Sequence, residues 1–118
     1  LIVLLGLSIP VGAALLLPDG SIVTGANIEN ASYPLTICAE RSAVATAASA
    51  GYREIVAVAV SAPRSKGTSP CGACRQVLNE FRPQGGDFPV ILDDGEDGIL
   101  TSIEELLPRA FGPRNLAE

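Results

Sequence analysis

The sequence predicts an α/β fold, a three-layer α/β/α sandwich around a mixed sheet of about five strands. Three observations carry this reading. Two apolar runs flank Pro18-Asp19-Gly20, the pattern of a hairpin. The run Glu54 to Ser61 (EIVAVAVS) is almost continuously apolar, as expected of a strand covered on both faces. Two helical segments separate the strands, and helices between strands imply parallel crossovers. At 118 residues the chain suits one domain, residues 1–118.

The elements follow in order. Leu1 to Pro18 carry no charge. This stretch lacks the basic start of a signal peptide. Gly6, Pro10 and Gly12 interrupt it, so it falls short of the ~20 apolar residues needed for a membrane span. It reads instead as buried, with a strand from Val11 to Leu17, and Ser21 to Ile28 as the returning strand. Glu29 to Thr36 is polar, contains Pro34 and reads as a loop. A helix rich in alanine is expected from Cys38 to Ala50, with Gly51 at its stop. After the strand ending at Ser61, Ala62 to Ser69 forms a loop. Ser69 as N-cap and Pro70 in the first turn open a helix running to Phe81. Pro83 to Asp87 break it, and Phe88 to Leu92 form a fourth strand. Asp93 to Asp97 is an acidic loop, Ile99-Leu100 a short fifth strand. Thr101-Ser102-Ile103-Glu104 resembles a capping box for a short helix ending near Pro108.

Composition narrows the function. Hydrophobic residues make up 47% of the chain, enough for a core, and five aromatics make that core aliphatic. The net charge of -5 argues against nucleic-acid binding and against a polybasic membrane contact. The absence of histidine removes every mechanism that needs an imidazole base or ligand. Three cysteines do not make a closed disulfide framework. They suggest a reducing, cytoplasmic setting and a metal or catalytic role.

The cysteines fall at corresponding places. Cys38-Ala39-Glu40 and Pro70-Cys71-Gly72-Ala73-Cys74 each stand at the start of an expected helix. Residues one helical turn apart, such as Cys71 and Cys74, can share one metal ion. Taken alone, that pair serves a metal or a redox couple equally well. The redox reading has no use for Cys38 or Glu40. Helix N-termini cluster at the carboxyl ends of strands in an open sheet, where ligands bind. Three thiolates with one open position describe a catalytic rather than a structural zinc site. The positive helix ends and Arg41 would offset the thiolate charge. Glu40, adjacent to the site without being a ligand, could accept a proton from activated water.

On these residues the chain resembles the small, homotetrameric cytidine deaminases with three cysteine ligands. The matching stretches are VGAALL (11–16), NIENASYPLTICAERSA (27–43), SPCGACRQVL (69–78) and EELLPRAFGP (104–113). The wider group of zinc deaminases uses a His or Cys ligand and a non-ligand Glu. The resemblance implies one Zn²⁺ per chain on Cys38, Cys71 and Cys74, with Glu40 as proton shuttle. It implies that Asn27 and Glu29 bind the ribose hydroxyls and that the Ala39 backbone meets the pyrimidine. An amide and a carboxylate two apart on an extended segment do face one side, which suits a diol. It further implies that Ala31, Tyr33 and Phe111 enter a neighbouring subunit's site, and that Arg41 and Gln76 tune the thiolates. Arg75 reads as a surface or interface charge. Ile9 occupies the substrate-facing position where the family usually has an aromatic, and only Leu1 to Ser8 remains of the family's N-terminal helix. The implied reaction is hydrolytic deamination of cytidine and deoxycytidine to uridine and deoxyuridine plus ammonia, in pyrimidine salvage. The alternatives are a deaminase of a modified nucleoside, of the blasticidin S type, and a non-catalytic zinc-stabilised binding module.

Overall fold

The computed structural model describes residues 10–84 and 86–116. Its elements are β1 (Gly12–Leu16), β2 (Ile22–Ala26), α1 (Ala39–Ser49), β3 (Ala57–Ser61), α2 (Gly72–Asn79), β4 (Pro89–Leu92), β5 (Ile99–Ser102) and α3 (Ile103–Leu106). Two 3₁₀ turns, Tyr33–Leu35 and Pro113–Asn115, complete them. The strand order in the five-stranded sheet is β2-β1-β3-β4-β5.

The hairpin β1–β2 is antiparallel, with Leu16 opposite Ile22. β1 also pairs antiparallel with β3, Leu15 facing Val58. β3 and β4 are parallel, Val58 facing Val90, and β5 returns antiparallel to β4. The mixed five-stranded sheet agrees with the sequence reading. Because β2 and β3 both run against β1, they point the same way, and the helices that follow them start at the same end of the sheet.

Strand alternation sends Ala13, Leu15, Val58, Val60, Val90 and Leu92 to one face. There all but Ala13 pack with Ala43, Val44 and Ala47 of α1, Leu78 of α2 and Ile103 of α3. Ile55 and Phe88, both buried, close the ends of this core. The opposite face carries Gly12, Ala14, Ala59 and Ile91, which line an open groove of about 480 Å³. The described residues thus hold the sheet and one helical layer. Leu1 to Ile9, where the sequence reading places a helix remnant and a substrate contact, lie outside them.

Two glycines are required where they stand. Gly51 follows α1 with φ +100°, the left-handed position that ends a helix. Gly25 lies under α1, where a Cβ would sit 2.6 Å from the Ala39 carbonyl oxygen and 2.5 Å from the Ala43 nitrogen. Its missing side chain lets the helix backbone rest on β2.

Two helix caps differ from expectation. The second helix begins at Gly72 with Cys71 as its N-cap residue, not with Ser69 capping at Pro70. Ser69 Oγ accepts from Arg75 Nη2 (2.9 Å), and the Pro70 carbonyl accepts from Arg75 Nε (2.7 Å). Both groups serve that arginine, and the 69–70 segment lies outside the helix. The third helix is capped by Ser102, whose Oγ accepts from the Glu105 backbone N–H (3.2 Å). Thr101, expected as the cap, belongs to β5.

Candidate metal and catalytic centre

Cys38 and Cys71 occupy the same position on their two helices, the N-cap residue of α1 and of α2. Cys74 lies one turn into α2 and is buried. Packing of α1 against α2 brings the three sulfurs together. Cys38 Sγ is 3.9 Å from Cys71 Sγ, and Cys71 Sγ is 3.4 Å from Cys74 Sγ. All three lie within 4.8 Å of one another. A tetrahedral zinc ion with Zn–S bonds of about 2.3 Å requires sulfurs about 3.8 Å apart. The donor set therefore fits one Zn²⁺.

The electrostatics point the same way. Burial raises the Cys74 thiol well above its ordinary value, and the Cys71 sulfur and the Glu40 charge add to that. Burial also acts to raise Cys71, but the backbone N–H groups of Cys74 and Ala73 and the two neighbouring sulfurs hold it below its ordinary value. Three thiolates beside a carboxylate need a cation to coexist.

Arg41 supplies part of that positive charge. Its guanidinium lies against Cys38, which favours its charged form. Nη2 donates to the Thr36 carbonyl at 3.2 Å. Nε is buried and has no partner among the described residues. A buried donor beside a thiol becomes useful when that thiol is a metal-bound thiolate.

Glu40 sits in the first turn of α1 and is 5% exposed. Burial raises its carboxyl above the usual carboxylate range, opposed by its own backbone N–H and by Arg41. A raised carboxyl close to the Cys74 sulfur is suited to accepting and releasing protons. Ala39, fully buried, stands between Cys38 and Glu40.

Asn27 and Glu29 emerge from the end of β2. Asn27 Oδ1 accepts the Val11 backbone N–H (3.0 Å), and Asn27 Nδ2 donates to Glu29 Oε1 (2.8 Å). The two polar side chains thus share one side, half-buried, as the extended spacing predicts. The bridge between Ile28 and Ile37 ties this segment to the residues before Cys38.

Ala31, Tyr33 and Phe111 stand on the surface, Tyr33 43% and Phe111 61% exposed. Gln76 is exposed on α2. Its Nε2 donates to the Phe111 carbonyl at 2.8 Å. Arg75 is half-buried. Besides Ser69 and Pro70, it donates through Nη1 to the Leu106 carbonyl (2.9 Å), binding the turn before Cys71 to the end of α3. Its spacing of four from Cys71 places it one helical turn above that cysteine, a signal present in the sequence.

Comparison with known proteins agrees with this geometry. Residues 6–85 match the family described as the cytidine and deoxycytidylate deaminase zinc-binding region. A cytidine deaminase of Halalkalibacterium halodurans is 53% identical over 102 residues, covering 86% of this chain and 76% of the relative. The crystal structure of a cytidine deaminase from Burkholderia pseudomallei superposes with a TM-score of 0.79 at 44% identity, over 88% of this chain and 83% of that one. A blasticidin-S deaminase of Bacillus cereus is 34% identical over 86% of this chain and 76% of its own length. With its three clustered thiols, its buried glutamate and these relatives, the chain belongs to the cytidine and deoxycytidylate deaminase family.

Proposed function

We propose that this chain is a zinc-dependent hydrolase that converts cytidine and deoxycytidine to the uridine nucleosides and ammonia. The observation that carries the reading is the meeting of Cys38, Cys71 and Cys74 at two helix N-termini with Glu40 buried beside them. Bound there, zinc supplies the Lewis acidity that brings water's acidity into the neutral range.

The chain's own groups do the rest. Asn27 and Glu29, held by their mutual hydrogen bond, receive the ribose hydroxyls. The Ala39 backbone meets the pyrimidine edge and orients C4. Glu40 takes a proton from the attacking water and delivers it to ring N3. It then passes the second proton to the exocyclic amine, which leaves as ammonia. The raised carboxyl of Glu40 suits both directions of transfer. Arg41 donates toward the thiolates and limits their charge.

The site is completed by other copies. The exposed aromatic rings of Tyr33 and Phe111, with Ala31, reach into a neighbouring subunit's substrate pocket within a homotetramer. Exposed aromatics in a chain with five of them are suited to an interface. No helix among the described residues is long and apolar enough to cross a membrane, and the free thiols suit the cytoplasm.

The test is cytidine turnover by the zinc-loaded protein, followed as loss of cytidine absorbance, in a panel that includes deoxycytidine and blasticidin S. Cytidine turnover with one zinc per chain is expected. One zinc per chain with blasticidin S consumed and cytidine untouched would overturn the assignment of substrate. A closed zinc site with no deamination would favour a binding module.

A further inference from the structure

We propose that Asn79, locked in orientation by Arg82, is a positioning residue for Phe111. The proposal rests on the reading that Phe111 contacts substrate in a neighbouring copy. Arg82 donates through Nη1 to Asn79 Oδ1 (3.3 Å), through Nε to the Gly86 carbonyl (2.8 Å) and through Nη2 to Glu104 Oε1 (3.0 Å). It is thus fixed between the end of α2, the following loop and α3.

A guanidinium only donates, so the amide oxygen of Asn79 must face it. The amide nitrogen then faces the other way, toward the Phe111 carbonyl at 3.4 Å. Gln76, three residues earlier on the same face of α2, donates to that carbonyl at 2.8 Å. One carbonyl oxygen can accept both. Asn79 is 5% exposed, so losing these partners would leave a buried amide unsatisfied.

The next residue closes the clamp. Gly112 is extended, and a Cβ there would meet Asn79 Nδ2 at 2.7 Å. Its N–H donates to Asn115 Oδ1 at 2.8 Å. The peptide unit that follows Phe111 is therefore held at both its carbonyl and its N–H. The ring itself is 61% exposed and is not among the hydrophobics packed on the core. Besides satisfying the buried Asn79 amide, the grip fixes the backbone from which this exposed ring projects, as delivery of the ring to another copy requires.

The experiment is a double-mutant cycle on the zinc-loaded assembly, reading KM, kcat and zinc per chain. Asn79→Ala should raise KM about fivefold, the worth of one misplaced aromatic contact, with kcat and zinc content retained. In a Phe111→Ala background the same change should leave KM where Phe111→Ala alone puts it. Gly112→Ala, which leaves α2 intact and displaces the amide, should reproduce the rise and covers the case in which Asn79→Ala does not fold. If Phe111→Ala leaves KM unchanged, the reading of Phe111 fails and the proposal with it. If Phe111→Ala raises KM but Gly112→Ala does not, or Asn79→Ala acts equally in both backgrounds, the proposal alone is overturned.

Discussion

Gly25 faces α1 where that helix presents Cys38, Ala39 and Glu40, and replacing it with alanine tests how tightly that contact positions the site. The new Cβ would lie 2.5 Å from the Ala43 nitrogen, 2.6 Å from the Ala39 oxygen and 3.0 Å from the Ala43 Cα. All three atoms are backbone, so no side chain can swing aside. Ordinary contact begins at 3.4 Å, so α1 must retreat by about 0.9 Å. Overpacking of this kind costs about 1–3 kcal/mol, reduced by up to about 1 kcal/mol because alanine also restricts the unfolded chain. The larger consequence is chemical. Cys38 and Glu40 ride on α1, while Cys71 and Cys74 stay on α2. A displacement near 1 Å of a reacting group costs about 100-fold in rate. Gly25→Ala should therefore lower kcat/KM for cytidine by about two orders of magnitude, with weaker zinc retention during dialysis against a chelator and a modest fall in melting temperature. Activity within threefold of wild type, with zinc held as firmly, would refute the claim that this close approach sets the geometry.

Three further outcomes follow from the same structure. Glu40→Gln should keep one zinc per chain while kcat falls by about 10²–10⁴, measured by metal analysis and steady-state turnover; unimpaired turnover would remove Glu40 from the mechanism. Cys71→Ala should lose zinc and melt at a lower temperature together, since metal binding and folding are coupled, and unchanged zinc content would exclude it as a ligand. Asp19 concerns acid stability: hydrogen bonds from the Ser21 hydroxyl, Tyr52 and the Ser21 backbone lower its carboxyl from 3.8 to about 2. A depressed carboxyl contributes stability that is present above 3.8 and lost as the pH falls toward about 2. Asp19→Asn should remove that part of the acid limb in a series of melts from pH 5 to 2, and an unchanged limb would assign it to other carboxylates.

Much of this architecture is visible in the sequence because period and chemistry coincide. The run at 54–61 and the turn at Pro18-Asp19-Gly20 mark β3 and the β1–β2 hairpin, although among the described residues only one face of β3 is packed. The cysteines were legible because N-cap positions on two helices leave few ways for three thiols to meet. What stayed hidden depends on partners distant in the chain. Nothing local to Gln76 shows that its amide serves a carbonyl 35 residues later. Nothing in Ser69-Pro70 shows that Arg75 would take both groups and delay the helix to Gly72. The hydrogen bond between Asn27 and Glu29 follows from their spacing, whereas the anchoring of Asn27 to Val11 required the register of β1 and β2.

The placement of β1 between β2 and β3 has a consequence for how the metal is acquired. Cys71 and Cys74 are neighbours in any helical conformation of their segment, but Cys38 is 33 residues away. It joins them only when β3 has docked against β1 and so aligned the two helices. A nascent chain can thus offer zinc two ligands, and the complete triad arises only with the assembled sheet. Loop closure over that distance must be offset before the third sulfur contributes. Full metal affinity in this chain therefore belongs to the assembled sheet, and zinc, by binding that state more tightly than unpaired ones, stabilises chains that have paired their strands correctly.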